Sequence, residues 1–319
     1  MTTYKEIKGT QIEVLASDPS NPVEGQVWYN STSNVLKGAA ASTSGAWSTT
    51  TSLNTARDQV AGAGTTTSGL VFGENFGGET ELWNGSTWVE KTDLNTSRRA
   101  LAGAGASGTA ALAFAGNLAA PSPNAASNAT EKWNGSNWTN VNNLNLARSF
   151  AAGAGTDTAA LCMGGAAGSG GNPPVTADTE KWNGTNWTEV ADLNTARNDG
   201  GAGGITTSAL AFGGFKDSGG SPEYFAGTES YNGSTWTAVN DLNTARRSLG
   251  GAGSDNTACV AFGGDPGSGA VAITEVWNGT NWTEQGNMAN ARGLMGSTKG
   301  SSTAAMAMGG ADTTHVETF

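Results

Sequence analysis

Short apolar or alternating runs of 4 to 7 residues, set between glycine-rich and Asn-Gly turns, recur along most of the chain and read as strands. One unit is legible from Arg197 to Trp236. After the arginine come NDGGAGG, a turn, and SALAFGG at 208–214. A loop of variable length leads to GTESYNG, and a hairpin brings in Trp236-Thr-Ala-Val. These are four strands, a to d in chain order. The Asn-Gly of the c–d connection predicts a tight type I′ turn, in which both central residues take positive φ. The aromatics on either side, Tyr231 and Trp236, are placed to pair across that hairpin.

The unit repeats. WNGSTW stands at 83–88, WNGSNW at 133–138, WNGTNW at 182–187, YNGSTW at 231–236 and WNGTNW at 277–282. The arginine returns at Arg57, Arg98, Arg148, Arg197, Arg246 and Arg292, at intervals of 41, 50, 49, 49 and 46 residues. A period near 50 with strand-like content predicts an all-β propeller of four-stranded antiparallel blades. The a strands, DQVAGAG, RALAGAG, SFAAGAG, NDGGAGG, RSLGGAG and GLMGSTK, account for much of the 48 glycines. Small side chains suit the innermost strand, where sheets converge. Six b strands and six d-strand tryptophans (Trp47, Trp88, Trp138, Trp187, Trp236, Trp282) predict six blades. Phe319 is the sixth c-strand aromatic and has no d strand after it, whereas Trp47 is a d strand without a blade. The expectation is therefore that residues near Trp47 complete the C-terminal blade, removing two open sheet edges.

Paired glycines after an apolar strand, an aromatic-Asn-Gly hairpin, a tryptophan, then Leu or Met and Arg, resemble the kelch repeat over about residues 43–319. WNG stands here where many kelch units carry Tyr-Asp. The resemblance implies the propeller fold but no single activity, because such propellers serve many roles. Residues 1–42 form a separate segment. There SDPSNPVEGQVWYNSTSNVLKG reads as a small hairpin, and Trp28 is the one tryptophan outside the repeat scheme. With the opening TYKEIKGTQIEV, this segment resembles N-terminal modules of virion structural proteins of marine tailed bacteriophages.

Charge narrows the partners. Against 16 basic side chains stand 27 acidic ones, a net −11, which argues against a phosphate-binding surface with its basic footprint. No apolar run approaches the ~18 residues of a membrane helix, and the first residues lack the apolar core of a signal peptide. Cys162 and Cys259 fall in different blades and are expected to be buried, unbridged and inert.

The chemistry expected is binding, not catalysis. Kelch-type oxidases hold copper on paired His and Tyr ligands, and this chain has a single histidine, His315. Sialidases of similar architecture carry Asp-box turns ending in Gly-x-Thr-Trp. Gly233 to Trp236 and Gly85 to Trp88 share that ending but lack the leading Ser-x-Asp. A sialidase site also needs arginines at unequal positions, and the six here are equivalent. These arginines are expected to tie down loop carbonyls or a neighbouring Asp93, Asp192 or Asp241. The alternative is that they hold an anion at the channel mouth.

The b–c loops diverge in length and chemistry while the rest of the repeat barely changes, which makes them the candidate binding surface. Phe215, Lys216, Asp217, Tyr224 and Phe225 stand out there among Gly, Ser and Ala. The sequence-level expectation is a non-enzymatic virion protein of tail, fibre or surface type, without cofactor or metal. It would be assembled in the host cytoplasm and joined to other virion proteins through residues 1–42. The propeller face would meet a host-surface glycan or protein, with no nucleic-acid contact and no membrane insertion. The competing expectation is a free kelch-type adaptor or a glycan-binding lectin.

Overall fold

In the computed structural model the described residues are 12–17, 27–38, 45–74, 77–118, 125–168, 173–217 and 220–319. Residues 1–11, 18–26 and 39–44 of the N-terminal segment lie outside them, as do the tips of the long b–c loops. The chain divides into two units, Met1–Ser44 and Gly45–Phe319. Among the described residues there are strands and turns and no helix.

The first unit holds a three-stranded sheet. Val27–Asn30 pairs antiparallel with Val35–Gly38, and Glu13–Leu15 runs parallel to Val27–Asn30 on its other edge. The register sets Val14, Tyr29 and Leu36 side by side on one face, and the alternation of side chains adds Ile12 and Val27 to it. Ile12, Val14, Val27 and Leu36 are exposed, whereas Trp28 and Asn30 on the opposite face are buried.

The second unit consists of repeated four-stranded antiparallel sheets, an arrangement compatible with a propeller. In the first sheet, strands a to d are Ala61–Thr65, Ser68–Phe72, Thr80–Trp83 and Trp88–Lys91. The second runs Ala102–Ser107, Ala110–Phe114, Thr130–Trp133 and Trp138–Val141; the third Ala152–Gly155, Ala160–Met163, Thr179–Trp182 and Trp187–Glu189. The fourth runs Gly201–Ile205, Ser208–Phe212, Thr228–Tyr231 and Trp236–Val239; the fifth Gly250–Asp255, Ala258–Phe262, Thr274–Trp277 and Trp282–Glu284. In the sixth, Gly296–Ser297, Met306–Met308 and Val316–Thr318 are joined by Ser48–Thr49, with Glu317 opposite Thr49 and Thr318 opposite Ser48.

The c–d hairpin differs from the two-residue turn expected. Trp83 pairs with Trp88, so four residues form the loop, and only Gly85 among them takes positive φ. Asn84 needs no left-handed backbone because its side chain shapes the turn: Oδ1 accepts from the N–H of Ser86 and of Thr87, both at 2.9 Å. The same pair of bonds recurs at Asn134, Asn183, Asn232 and Asn278.

Apolar contacts run between sheets. Phe72 of the first sheet meets Trp138 of the second at 4.9 Å, Phe114 meets Trp187 at 4.9 Å, and Phe212 meets Trp282 at 4.9 Å. In each case the indole Nε1 also donates to a c-strand threonine of the preceding sheet, Thr80, Thr130 or Thr228, at 3.0 Å. Trp47 repeats both contacts: its ring lies 4.8 Å from Phe262, and its Nε1 donates to Thr274 at 2.8 Å. Two tryptophans depart from this pattern: Trp236 Nε1 and the threonine of its slot, Thr179, make no hydrogen bond among the described residues, whereas Trp88 finds another acceptor. The threonine slot it would use is occupied by Val316, and its Nε1 donates instead to the Thr51 carbonyl at 3.0 Å.

A second set of contacts links the entrances to the inner strands. Two residues after each repeat arginine stand Gln59, Ala100, Phe150, Asp199, Ser248 and Leu294, all at φ between 50° and 58°. Their backbones form a closed cycle. Ala100 donates to Gln59, Phe150 to Ala100, Asp199 to Phe150 and Ser248 to Asp199, each at 2.8 Å; Leu294 donates to Ser248 at 3.0 Å and Gln59 to Leu294 at 2.9 Å. Left-handed backbone is costly for non-glycine residues. A hydrogen bond given and another received at every position offsets that cost.

Candidate binding surface and central cavity

The six repeat arginines are buried, and each makes an ion pair. The acid is a c-strand glutamate, two residues before the c aromatic, and not Asp93, Asp192 or Asp241. Arg57 meets Glu81 at 2.5 Å, Arg98 meets Glu131 at 2.9 Å, Arg148 meets Glu180 at 2.8 Å and Arg197 meets Glu229 at 2.6 Å. Arg246 pairs with Glu275, and Arg292 with Glu317 at 3.1 Å. Asp192 and Asp241 instead accept the backbone N–H of Thr179 and Thr228.

Each glutamate is a hub. Glu131, for example, also accepts the backbone N–H of Asn95 at 2.7 Å and of Thr96 at 3.2 Å, pinning the d–a connection under the sheet. The Arg98 guanidinium donates to the carbonyls of Ala115 and Ala129, which fixes the ends of the b–c connection. Burial lowers the basicity of Arg98, Arg197, Arg246 and Arg292, and the facing glutamate opposes that effect. Each guanidinium is buried against its own glutamate, while Nε of Arg148 and Arg292 and Nη2 of Arg246 make no hydrogen bond among the described residues. The recurrent Thr-Glu-x-aromatic of the c strand carried the signal for these glutamates.

The loop aromatics of the fourth repeat form a hairpin of their own, Phe215–Asp217 with Pro222–Tyr224, in which Phe215 faces Tyr224 with ring centroids 5.3 Å apart. Arg247, from the connection into the fifth sheet, stacks over Phe215 at 4.6 Å and Tyr224 at 5.6 Å, and meets Asp265 at 3.7 Å. Phe225 lies 5.7 Å from the Arg197 guanidinium. Lys216 sits opposite Glu223, and the Asp217 carboxylate accepts the N–H of Gly220 at 2.7 Å. All five residues are half-buried, so this cluster bridges two repeats while keeping part of its surface open.

A cavity of about 90 Å³ is bounded by the inner strands and the residues of the hydrogen-bonded cycle. Glycine, alanine and other apolar residues make up most of its wall. Asp199 and Lys299 are the two ionisable side chains that line it. The Asp199 carboxyl is pushed above the usual range by burial, against a hydrogen bond from Ser248 Oγ at 2.6 Å. The Lys299 ammonium is lowered to about 8 by burial. The thiols of Cys162 and Cys259 are free and buried, and burial pushes Cys162 up to about 11. Among the described residues, no three or more His, Cys, Asp or Glu side chains are grouped to hold a metal ion.

No protein-family model matches the sequence, and no curated protein matches it significantly.

Proposed function

We propose that the second unit is a six-bladed, ring-closed propeller of kelch type that acts as a non-enzymatic binding scaffold. In this reading the protein is a structural or adhesion component of a virion. The observation that carries the scaffold role is the division of labour within the repeat. The conserved-in-repeat charges, from Arg57–Glu81 to Arg292–Glu317, are all engaged internally, which leaves the divergent b–c loops as the part free to differ for a ligand. The half-buried stack of Phe215, Tyr224 and Arg247 offers a rigid aromatic surface of the kind that anchors sugar rings or protein side chains.

Attachment falls to the first unit. Its exposed Ile12, Val14, Val27 and Leu36 share one sheet face, an apolar patch of the sort that marks an interaction site. The virion assignment itself is supported by the resemblance of the N-terminal sequence. A chain beginning at Gly45 should then remain folded yet fail to enter particles; entry at the level of the full chain would overturn the attachment role. Glycan-array and host-cell binding of Tyr224→Ser with Phe225→Ser tests the loop surface. Undiminished binding would remove those residues from the recognition site, and binding by the free protein without any particle would favour the lectin or adaptor reading.

A further inference from the structure

The sixth inner strand breaks the repeat in one respect. Seven residues after the arginine stand Gly64, Gly105, Gly155, Gly204 and Gly253 in five repeats, and Lys299 in the sixth. Five residues after the arginine stand Gly62, Gly103, Gly153, Ala202 and Gly251, and then Ser297. Both polar residues line the central cavity.

Lys299 is anchored by its backbone, whose N–H donates to the Gly64 carbonyl of the first sheet at 3.1 Å. Its Nζ donates to Ser297 Oγ at 3.3 Å, and that hydroxyl in turn donates to the Gly251 carbonyl of the fifth sheet at 2.9 Å. The ammonium is therefore aimed by a serine locked to a neighbouring strand. An ammonium has three donors, and this bond uses one. Among the described residues no carboxylate lies within ion-pair distance of Nζ. Asp199, the other ionisable group on the wall, belongs to the hydrogen-bonded cycle and is engaged with Ser248. A partly enclosed cation left without a counter-charge is costly. Each inner strand is also a sheet edge, so it has backbone groups that no further strand covers.

We propose that the central cavity binds one small monovalent anion, of the size of chloride, on the Lys299 ammonium, with Ser297 as the residue that positions it. The inference is independent of what the loops bind and of any virion role. Its size limit follows from the cavity of about 90 Å³. A multiply charged anion would face a single cation with a carboxylate on the same wall.

Melting of the full chain in chloride, compared with gluconate at equal ionic strength, tests the site. Chloride should raise the midpoint by a few degrees in a saturable way, and the chloride NMR line should broaden with the protein present. Lys299→Met should abolish both effects, and Ser297→Ala should weaken the affinity severalfold without removing it. Equal midpoints in the two salts, or a chloride effect that survives in Lys299→Met, would overturn the proposal. Should Lys299→Met fail to fold, the wild-type protein decides. The chloride effect must fade as pH rises past about 8, where the ammonium loses its proton, and a pH-independent effect would refute the site.

Discussion

Trp47 is the strongest test of how the sixth sheet is completed. Its indole contributes two separable interactions: ring packing on Phe262 at 4.8 Å and Phe319 at 5.3 Å, and the Nε1 bond to Thr274 Oγ1 at 2.8 Å. Trp47→Phe keeps most of the packing and loses the bond, a cost of about 1 kcal/mol. Thr274→Val removes the other partner at similar size and shape, and should cost about the same. Val316 already shows that the fold accepts a valine in this slot. Trp47→Ala loses both interactions. Removal of a fully buried tryptophan costs about 3–5 kcal/mol, and because Trp47 is only partly buried the expectation is the lower end, about 3. At about 2 °C per kcal/mol for a unit of this size, thermal melts should fall by about 2 °C for either single polar change and about 6 °C for alanine. Combining Trp47→Phe with Thr274→Val should cost little more than one of them alone, since each removes the same bond. Additive losses in that double-mutant cycle, or an unchanged midpoint for Trp47→Ala, would refute the reasoning.

Four further outcomes follow from the same geometry. Glu131→Ala should cost about 3–5 kcal/mol by leaving Arg98 buried without its partner, whereas Arg98→Met with Glu131→Leu together should cost less than either alone; chemical denaturation measures both. Gly103→Ala would set a Cβ 2.8 Å from the Gly62 carbonyl and from the Phe72 ring, so a loss of about 1–3 kcal/mol is expected from overpacking. Asp199→Asn should raise the melting midpoint at neutral pH. Burial makes the folded carboxyl hold its proton more tightly than the unfolded one, so stability falls as pH rises through the unfolded value of about 3.8, and the gain should vanish below it. Both cysteines should resist a thiol reagent in the folded protein and react together on unfolding, because each is buried and its thiolate is disfavoured; fast labelling of either one in the native state would contradict this.

The strand order was legible because the residues that build it are repeated side chains. Trp83, Trp133, Trp182 and Trp277 mark the c strands, and the glycine-alanine runs mark the a strands. The hairpin was misread because Asn-Gly alone does not report loop length; the flanking tryptophan pair does, since Trp83 and Trp88 face each other across four residues. The arginines were visible while their glutamates went unremarked, although Glu81, Glu131, Glu180, Glu229, Glu275 and Glu317 recur at one fixed place. A different reason applies to the hydrogen-bonded cycle. Gln59, Ala100, Phe150, Asp199, Ser248 and Leu294 share no chemistry, and none is the glycine that would announce a left-handed backbone. What they share is main-chain geometry, which is fixed only when neighbouring repeats are in place. Lys299 was legible in principle as the one departure from glycine in its column, but its placement in a cavity needed the other five strands.

The sixth sheet has a consequence for how the protein is made. Ser48 and Thr318, hydrogen-bonded to each other, lie 270 residues apart in the chain, and Gln59 likewise waits for Leu294. During synthesis the early repeats can form one after another as they leave the ribosome. Ser48–Thr49 has nowhere to pair until Val316–Thr318 has emerged. Between the emergence of Ser48–Thr49 and that of Val316–Thr318 the nascent protein therefore carries an unclaimed strand and an uncovered sheet. Either can be taken by the complementary part of another nascent chain on the same message. Crowded polysomes are thus where this protein is most exposed to joining the wrong partner, and slow elongation between those two strands would lengthen that window.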